Sequence, residues 1–253
     1  MFILAVPFFL TALVYASVGF AGGSTYTAIL SMAGIDYRII PVVSLCCNII
    51  VSAGGCWRFS LCGLIDWRRT VSWASLSVPM AFLGGLLPVG KVVFFGVLGA
   101  ALLLAGIRLL FLKQHVCSVI PTQKFVWPVV LPCSAGLGLL AGITGIGGGI
   151  YLAPLLHFLK WDNARQIAAT CSFFIFINSL AGILGQMLKL SDAGLMRSAI
   201  EYWPLALLVF VGGSAGSWLG ATRLSLGWIT RATGILTCYA GAQLISKFLS
   251  LLW

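Results

Sequence analysis

The chain alternates long apolar runs with short polar ones. The apolar runs fall at residues 2–16, 24–33, 39–57, 70–88, 91–112, 126–143, 149–159, 165–188, 200–220 and 228–251. Polar breaks at 58–69, 113–124, 160–165, 189–201 and 221–227 separate them. A segment apolar on every side belongs in lipid or deep inside protein. Strands are excluded, because lipid-crossing backbone must be helix or closed barrel and these runs lack barrel alternation. The pattern therefore predicts an all-α integral membrane protein. A full crossing takes about 20 helical residues. The runs 24–33 and 149–159 extend only about 15 Å as helix. Each follows a glycine cluster, so each reads as half of a broken helix.

The two halves repeat. At a shift of 126, Gly19, Gly22, Gly23, Leu30 and Asp36 fall on Gly145, Gly148, Gly149, Leu156 and Asp162, five identities across positions 19–36. Gly84-Gly85 meets Gly212-Gly213 at a shift of 128, and Gly99 and Gly106 meet Gly234 and Gly241 at 135. An ordered series with small drift is what duplication followed by loop insertion leaves. The expected organisation is a first membrane repeat over 1–115, a connecting loop at 116–124 and a second repeat over 125–253. Asp36 and Asp162 precede helices at equivalent positions, as helix caps would.

Each cluster either interrupts one continuous span or turns a re-entrant hairpin. With two hairpins, one face collects Arg58, Arg68, Arg69, Arg108, Lys113, Lys124, Lys160, Arg165, Arg223 and Arg231. The other face then holds Arg38, Lys91, Lys189, Arg197 and Lys247, a split of ten to five. With two interrupted spans the split is nine to six. The positive-inside rule favours hairpins by one residue. A hairpin plus three full spans per half makes the repeats inverted, the commoner transporter plan. The loops 58–69 and 113–124 then face the cytoplasm and both termini face out.

Composition narrows the function. Of 253 residues, 60% are hydrophobic and 8% charged, against about 25% charged in soluble domains. A soluble enzyme, a disordered chain and a nucleic-acid binder are excluded as expectations. The net charge of +10 lies between apolar runs, as topology signals do. The first run lacks an A-x-A cleavage site and leads into a glycine motif, so no separate signal peptide is expected. The eight cysteines form no C-x-x-C and no Cys/His metal spacing, so neither a metal nor a cofactor is expected.

The 30 glycines divide into two kinds. Gly84-Gly85, Gly212-Gly213 and Gly216-x-x-x-Gly220 suit close helix packing. The clusters Ser17-Val-Gly-Phe-Ala-Gly-Gly-Ser-Thr25 and Thr144-Gly-Ile-Gly-Gly-Gly149 suit something else. Neither has the strand of a dinucleotide fingerprint or the Gly-Lys-Ser/Thr of a phosphate loop. Glycine lets a helix stop and restart. The restarted helix presents N–H groups and a positive dipole end, which suit an anion. Candidate substrate contacts are Ser17, Gly19, Gly22, Gly23, Ser24 and Thr25 from the first cluster. From the second they are Thr144, Gly145, Gly147, Gly148 and Gly149. Ser44, Asn48 and Ser52 share one helix face, and Thr170, Ser172 and Asn178 occupy the matching helix. Asn48, Thr170, Ser172 and Asn178 join the candidates, since hydroxyls and amides hold an oxyanion without a fixed charge. No acid lies mid-span, so neither a carboxylate proton relay nor an acidic sodium site is evident.

At these motifs the sequence resembles the sulfite exporter TauE/SafE family, also called the toluene sulfonate uptake permease family. Gly145-Ile-Gly-Gly-Gly-Ile-Tyr-Leu-Ala-Pro154-Leu-Leu is similar to the family's G-x-G-G-G-x-x-x-x-P-x-L signature. Arg58-Phe-Ser-Leu-Cys-Gly-Leu-Ile-Asp-Trp-Arg68 is similar to its basic Gly-(Leu/Ile)-Ile-Asp loop, and Ala169-Thr-Cys-Ser172 stands where it often has Gly-Thr-Ser. The first half departs, with Phe-Ala-Gly-Gly for x-G-G-G and Ala28 opposite Pro154. The resemblance implies a multi-pass secondary carrier of the prokaryotic inner membrane, exporting a small sulfur-containing anion such as sulfite or an organosulfonate. The expected partners are that anion and the bilayer, with no nucleic acid. An anion channel of the same fold, a carrier of a carboxylate or phosphonate, and a membrane redox protein are the alternatives.

Overall fold

A computed structural model describes residues 2–17, 19–111, 127–159, 164–190, 193–222 and 226–252. Among them there is helix and no strand. The helices are α1 (Phe2–Ser17), α2 (Gly23–Met32), α3 (Ile40–Leu61), α4 (Trp67–Leu86) and α5 (Lys91–Phe111). The second half supplies α6 (Trp127–Thr144), α7 (Gly149–Phe158), α8 (Ala164–Lys189), α9 (Ala193–Ile200), α10 (Trp203–Thr222) and α11 (Leu226–Leu252). Every apolar run became a helix, and the two short runs became the ten-residue helices α2 and α7. The stretches Ile40–Leu61, Arg165–Lys189 and Arg197–Trp218 are long and apolar enough to cross a membrane. The expected connecting loop at 116–124 and Asp162 lie outside the described residues.

The polar break at 189–201 also holds a short helix, α9. One expectation needs correction. Asp36 does not cap α3, whose cap position is Ile39. Its carboxylate accepts the Arg38 backbone N–H at 2.9 Å, so it closes a turn one step earlier. The acid that caps a helix is Asp66, which accepts the Arg69 N–H at 3.2 Å at the start of α4.

The helices pack in pairs that exchange when the halves are exchanged. α3 and α8 cross at the centre, and α5 lies against α11. α4 of the first half packs on α6 and α8, and α10 of the second packs on α1 and α3. Small residues make these seams close. A Cβ at Gly138 or Gly142 would strike the backbone carbonyl of Ser77 or Ala81 on α4. A Cβ at Gly84 would strike the Leu139 carbonyl, and one at Gly216 the Leu13 carbonyl, 126 residues earlier. Gly85 sits as closely on the Gly182 carbonyl. The packing glycines thus let two backbones touch where any side chain would part them. The outer faces carry Trp57, Trp203, Leu207, Phe210 and Trp218, all exposed, as a lipid-facing surface requires.

At the first cluster the chain doubles back. Phe8, midway along α1, stacks on Tyr26 in the first turn of α2 with ring centroids 4.8 Å apart. Had α2 continued the direction of α1, those rings would be separated by nearly the full length between them. A cavity at one face is lined by Arg38, Val89, Gly90 and Lys189 together.

Candidate functional site

The two glycine clusters meet at the centre of the molecule, and each is braced by the central helix of the other half. Gly19 (φ +86°) turns against Ala168 of α8, with room for no Cβ beyond 2.8 Å of the alanine methyl. Gly145 (φ +76°) turns against Pro41 of α3, where a Cβ would lie 2.6 Å from the proline Cα. The left-handed turns continue at Gly22, Gly147 and Gly148, with φ of 90°, 80° and 79°. Only glycine takes such angles without strain. Gly22 also caps α2 and brings no side-chain hydrogen bond to the helix start.

Asn48 of α3 connects the clusters. It is fully buried, and its Nδ2 donates to the Gly145 carbonyl at 3.2 Å. Gly23, the first residue of α2, packs on the same amide and on the Ile146 carbonyl, so a Cβ there would overlap both. Among the described residues the Asn48 Oδ1 has no hydrogen-bond partner, and neither has the Ser179 Oγ. Ser179 is also fully buried, and a Cβ on Gly147 would lie 2.9 Å from its Oγ and 3.1 Å from the Asn48 Nδ2. A buried polar atom left unpaired costs about 1–3 kcal/mol. Two of them beside two glycine turns form a place where a polar ligand or water recovers that cost.

The other candidates divide by the face they take. Ser172 donates to the Gly19 carbonyl at 2.7 Å, tying α8 to the first cluster. Thr170 instead faces Thr70 of α4, the hydroxyls 3.4 Å apart. Asn178 receives a hydrogen bond from Ser77 of α4 and donates to the Phe174 carbonyl at 2.8 Å. Thr170 and Asn178 thus belong to the α4–α8 seam. Ser172 and Ser179, two helical turns apart, face the clusters. Ser17 and Thr144 bond back to the Val14 and Leu140 carbonyls at 2.6 Å each. Ser24 and Thr25 both meet the Tyr15 hydroxyl, at 3.3 and 2.8 Å. Ser44 donates to the Gly23 carbonyl at 3.2 Å.

A cavity of about 10 Å³ lies between the clusters, room for about one water. Tyr15, Gly22, Gly23 and Ser24 form its polar wall, and Ile146, Ile150 and Ile175 its apolar one. Tyr15 and Ser179 escaped the sequence reading, as did Gln186, whose Nε2 donates to the Gly142 carbonyl at 2.8 Å. Ser179 was accessible through the repeat, since it falls on Ser52 at a shift of 127.

The comparisons with known proteins give the family. The sulfite exporter TauE/SafE family model matches residues 4–244. A probable membrane transporter protein of Sinorhizobium fredii is 32% identical over 244 residues, covering 96% of this chain and 97% of its own. One of Methanocaldococcus jannaschii is 23% identical over 212 residues, covering 80% and 78%. The Sulfite exporter TauE/SafE family protein 1 of Arabidopsis thaliana is 40% identical over 91 residues, 35% of this chain and 18% of that one. No solved structure matches. The chain is a membrane transporter protein that belongs to the sulfite exporter TauE/SafE family.

Proposed function

We propose that this chain is a secondary carrier that exports a small sulfur-containing oxyanion, sulfite or an organosulfonate, across a prokaryotic inner membrane. The anion binds between the starts of α2 and α7. Gly22, Gly23 and Ser24 offer amides from one side, and Gly147, Gly148 and Gly149 from the other. Asn48 supplies the amide that reads both. Helix starts favour anions through their aligned N–H dipoles, with no fixed charge needed. The observation that carries this reading is the buried junction at Asn48, where both glycine turns meet beside two uncommitted polar atoms.

The repeats, 1–115 and 125–253, are inverted in this reading. Its support is the shared cavity of Arg38 and Lys189, which fits a hairpin and three spans per half. The ten-cation face, with the 58–69 loop, is cytoplasmic. One half rocks on the other about the fixed site to give alternating access. The closure of the central cavity to about one water supports a carrier over an open pore.

The test is flux in proteoliposomes with sulfite, thiosulfate, a short alkylsulfonate, a carboxylate and a phosphonate. The expected result is saturable flux of a sulfur oxyanion with counterflow. Flux without counterflow makes the protein a channel. Flux confined to the carboxylate or phosphonate overturns the sulfur assignment, and no flux from folded protein overturns the carrier.

A further inference from the structure

We infer that the glycine junction selects a singly charged oxyanion that carries its own O–H, namely hydrogen sulfite in preference to the sulfite dianion or a simple sulfonate. This rests on the export proposed above and narrows the substrate of that same site. Two features carry it: the charge that the helix starts offer, and the one atom there that can only accept.

The positive ends at the junction are the starts of α2 and α7. Each contributes about half a charge, so together they balance about one negative charge. No Lys, Arg or His lines the central cavity among the described residues. A dianion there would keep its second charge unmatched and out of water, which is costly. A monoanion leaves no charge over.

Asn48 supplies the second feature. The Gly145 carbonyl can only accept, so the amide atom that meets it at 3.2 Å is the nitrogen, and this fixes which way the amide points. The remaining atom, Oδ1, is buried and has no hydrogen-bond partner among the described residues. Gly23, the first residue of α2, both lines the central cavity and packs on this amide. The uncommitted acceptor therefore lies at a helix start and not in a remote seam. A carbonyl oxygen repels the bare oxygens of an oxyanion and attracts a hydroxyl. The Ser179 hydroxyl beside Gly147 can donate or accept, so it accommodates either ligand. Asn48 Oδ1 makes the choice. The free N–H groups of the helix starts hold the charged oxygens, and Oδ1 accepts from the protonated one. Methanesulfonate matches the charge and leaves Oδ1 without a donor. The sulfite dianion fails on both counts.

The ligand then carries the pH dependence. Around the junction the titratable side chains are Tyr15 of α1, Tyr26 of α2, Cys47 of α3, Tyr151 of α7 and Cys171 of α8. Of the other helices packed on α3, α10 brings none and α6 brings Cys133. Tyrosine and cysteine ordinarily ionise at about pH 8.5–10, above the near-neutral range in which hydrogen sulfite loses its proton.

The test reads binding to the purified protein as a rise in melting temperature, with no gradient present. The ligands are sulfite and methanesulfinate, a monoanion with the shape of O-protonated hydrogen sulfite and a methyl in place of its hydroxyl. At about pH 6, sulfite is expected to bind about tenfold more tightly than methanesulfinate, because the methyl leaves the acceptor unpaired. Moving to about pH 8 should weaken total sulfite about fivefold, as the hydrogen sulfite fraction falls, and leave methanesulfinate unchanged. Asn48→Leu should bring the two affinities together. Equal binding of the two by the wild type, no binding of either, sulfite binding that holds or tightens with pH, or a preference retained in Asn48→Leu overturns the selection. If that variant does not fold, the wild-type comparisons decide it. Sulfite counterflow in proteoliposomes keeps the export separate. Flux without the preference leaves the carrier and removes the selection. The preference without flux supports the selection and removes the export.

Discussion

In the first half of the chain Asn48 stands against Gly23, the glycine that starts the half-helix. In the second half Ile175 stands against Gly149, its equivalent. The frames around them match. Gly22 is walled by Thr11 and Gly148 by Leu137, and Gly19 meets Ala168 where Gly145 meets Pro41. These partners sit 126 or 127 residues apart. What fills the frame differs. The first turn has Tyr15, Ser24 and Thr25 in contact through their hydroxyls. Their counterparts at a shift of 126 are Ala141, Ile150 and Tyr151. The first half lines its helix start with hydroxyls and the Asn48 amide, where the second has Ala141, Ile150 and Ile175 and keeps its polar groups at Tyr151 and at Ser179 beside Gly147. A duplicated scaffold provides two helix starts aimed at one place, and it does not require both to bind in the same way.

The largest test of that division exchanges its central pair. Asn48→Ile removes the donor to the Gly145 carbonyl and leaves that carbonyl buried without its side-chain partner, which costs about 1–3 kcal/mol. It also removes the amide proposed to hold the anion. Sulfite flux should fall about 100-fold, the equivalent of roughly 2.7 kcal/mol. Ile175→Asn adds a second amide beside Gly149 and should lower flux less than about tenfold while costing about 2 kcal/mol of stability. Flux and melting temperature, measured on both variants, separate the effects. Equal loss of flux from the two would mean that the halves contribute alike and that the polar filling of the first is incidental.

The second test adds one methyl to each helix start. At Gly23 the new Cβ would overlap the Asn48 amide and the backbone carbonyl of Ile146. At Gly149 it would overlap Ile175 side-chain carbons, with the nearest backbone atom, the Cys171 carbonyl, at 3.6 Å. A side chain can move where a backbone carbonyl cannot. Overpacking costs about 1–3 kcal/mol, and Gly23→Ala should fall near the top of that range and Gly149→Ala near the bottom. Thermal melts in detergent measure the difference, and flux should follow the same order. A larger cost at Gly149 would show that the apolar wall is the tighter one.

The sequence made the helices legible because lipid leaves so few choices: an apolar run of that length must be helical. The glycine turns were legible because they recur in register. The site itself was only partly legible. Asn178 and Ser179 are neighbours, and a helix sends neighbours about 100° apart. Nothing local says which of them faces the clusters and which faces α4. The amide drew attention as the stronger hydrogen-bonding group, yet Ser77 takes it into the α4–α8 seam and Ser179 meets Gly147. Thr170 went the same way, toward Thr70. Helix α9 hid because eight residues with Arg197 and Ser198 among them resemble a polar loop. The meeting of Arg38 with Lys189 depends on how many times the chain crosses between them. Counting basic residues could barely separate the two plans, and the cavity that Arg38 and Lys189 share is visible only once the chain is packed.

The smallest expected effect concerns the hydroxyls of the first turn. Tyr15 reaches from α1 across the hairpin to Thr25 at 2.8 Å and Ser24 at 3.3 Å, and it is almost wholly buried. Tyr15→Phe keeps the ring and its packing and removes both bonds. Side-chain hydrogen bonds between membrane helices contribute about 0.6 kcal/mol on average, so two that share one hydroxyl contribute about 1 kcal/mol. For a chain of this size that lowers the melting temperature by about 2–4 °C. If the hydroxyl only orients Ser24, sulfite flux should drop about threefold, chiefly through KM, because the backbone amides and Asn48 remain in place. The comparison between the halves then stands on the amide, with the hydroxyls as its support. If Tyr15→Phe instead abolishes flux as fully as Asn48→Ile, the weight moves to the hydroxyl cluster. The second half has Ala141 in place of Tyr15 and Ile150 in place of Ser24. It would then lack the group that binds the anion, and the division between the halves would be sharper than the Asn48–Ile175 pair alone makes it.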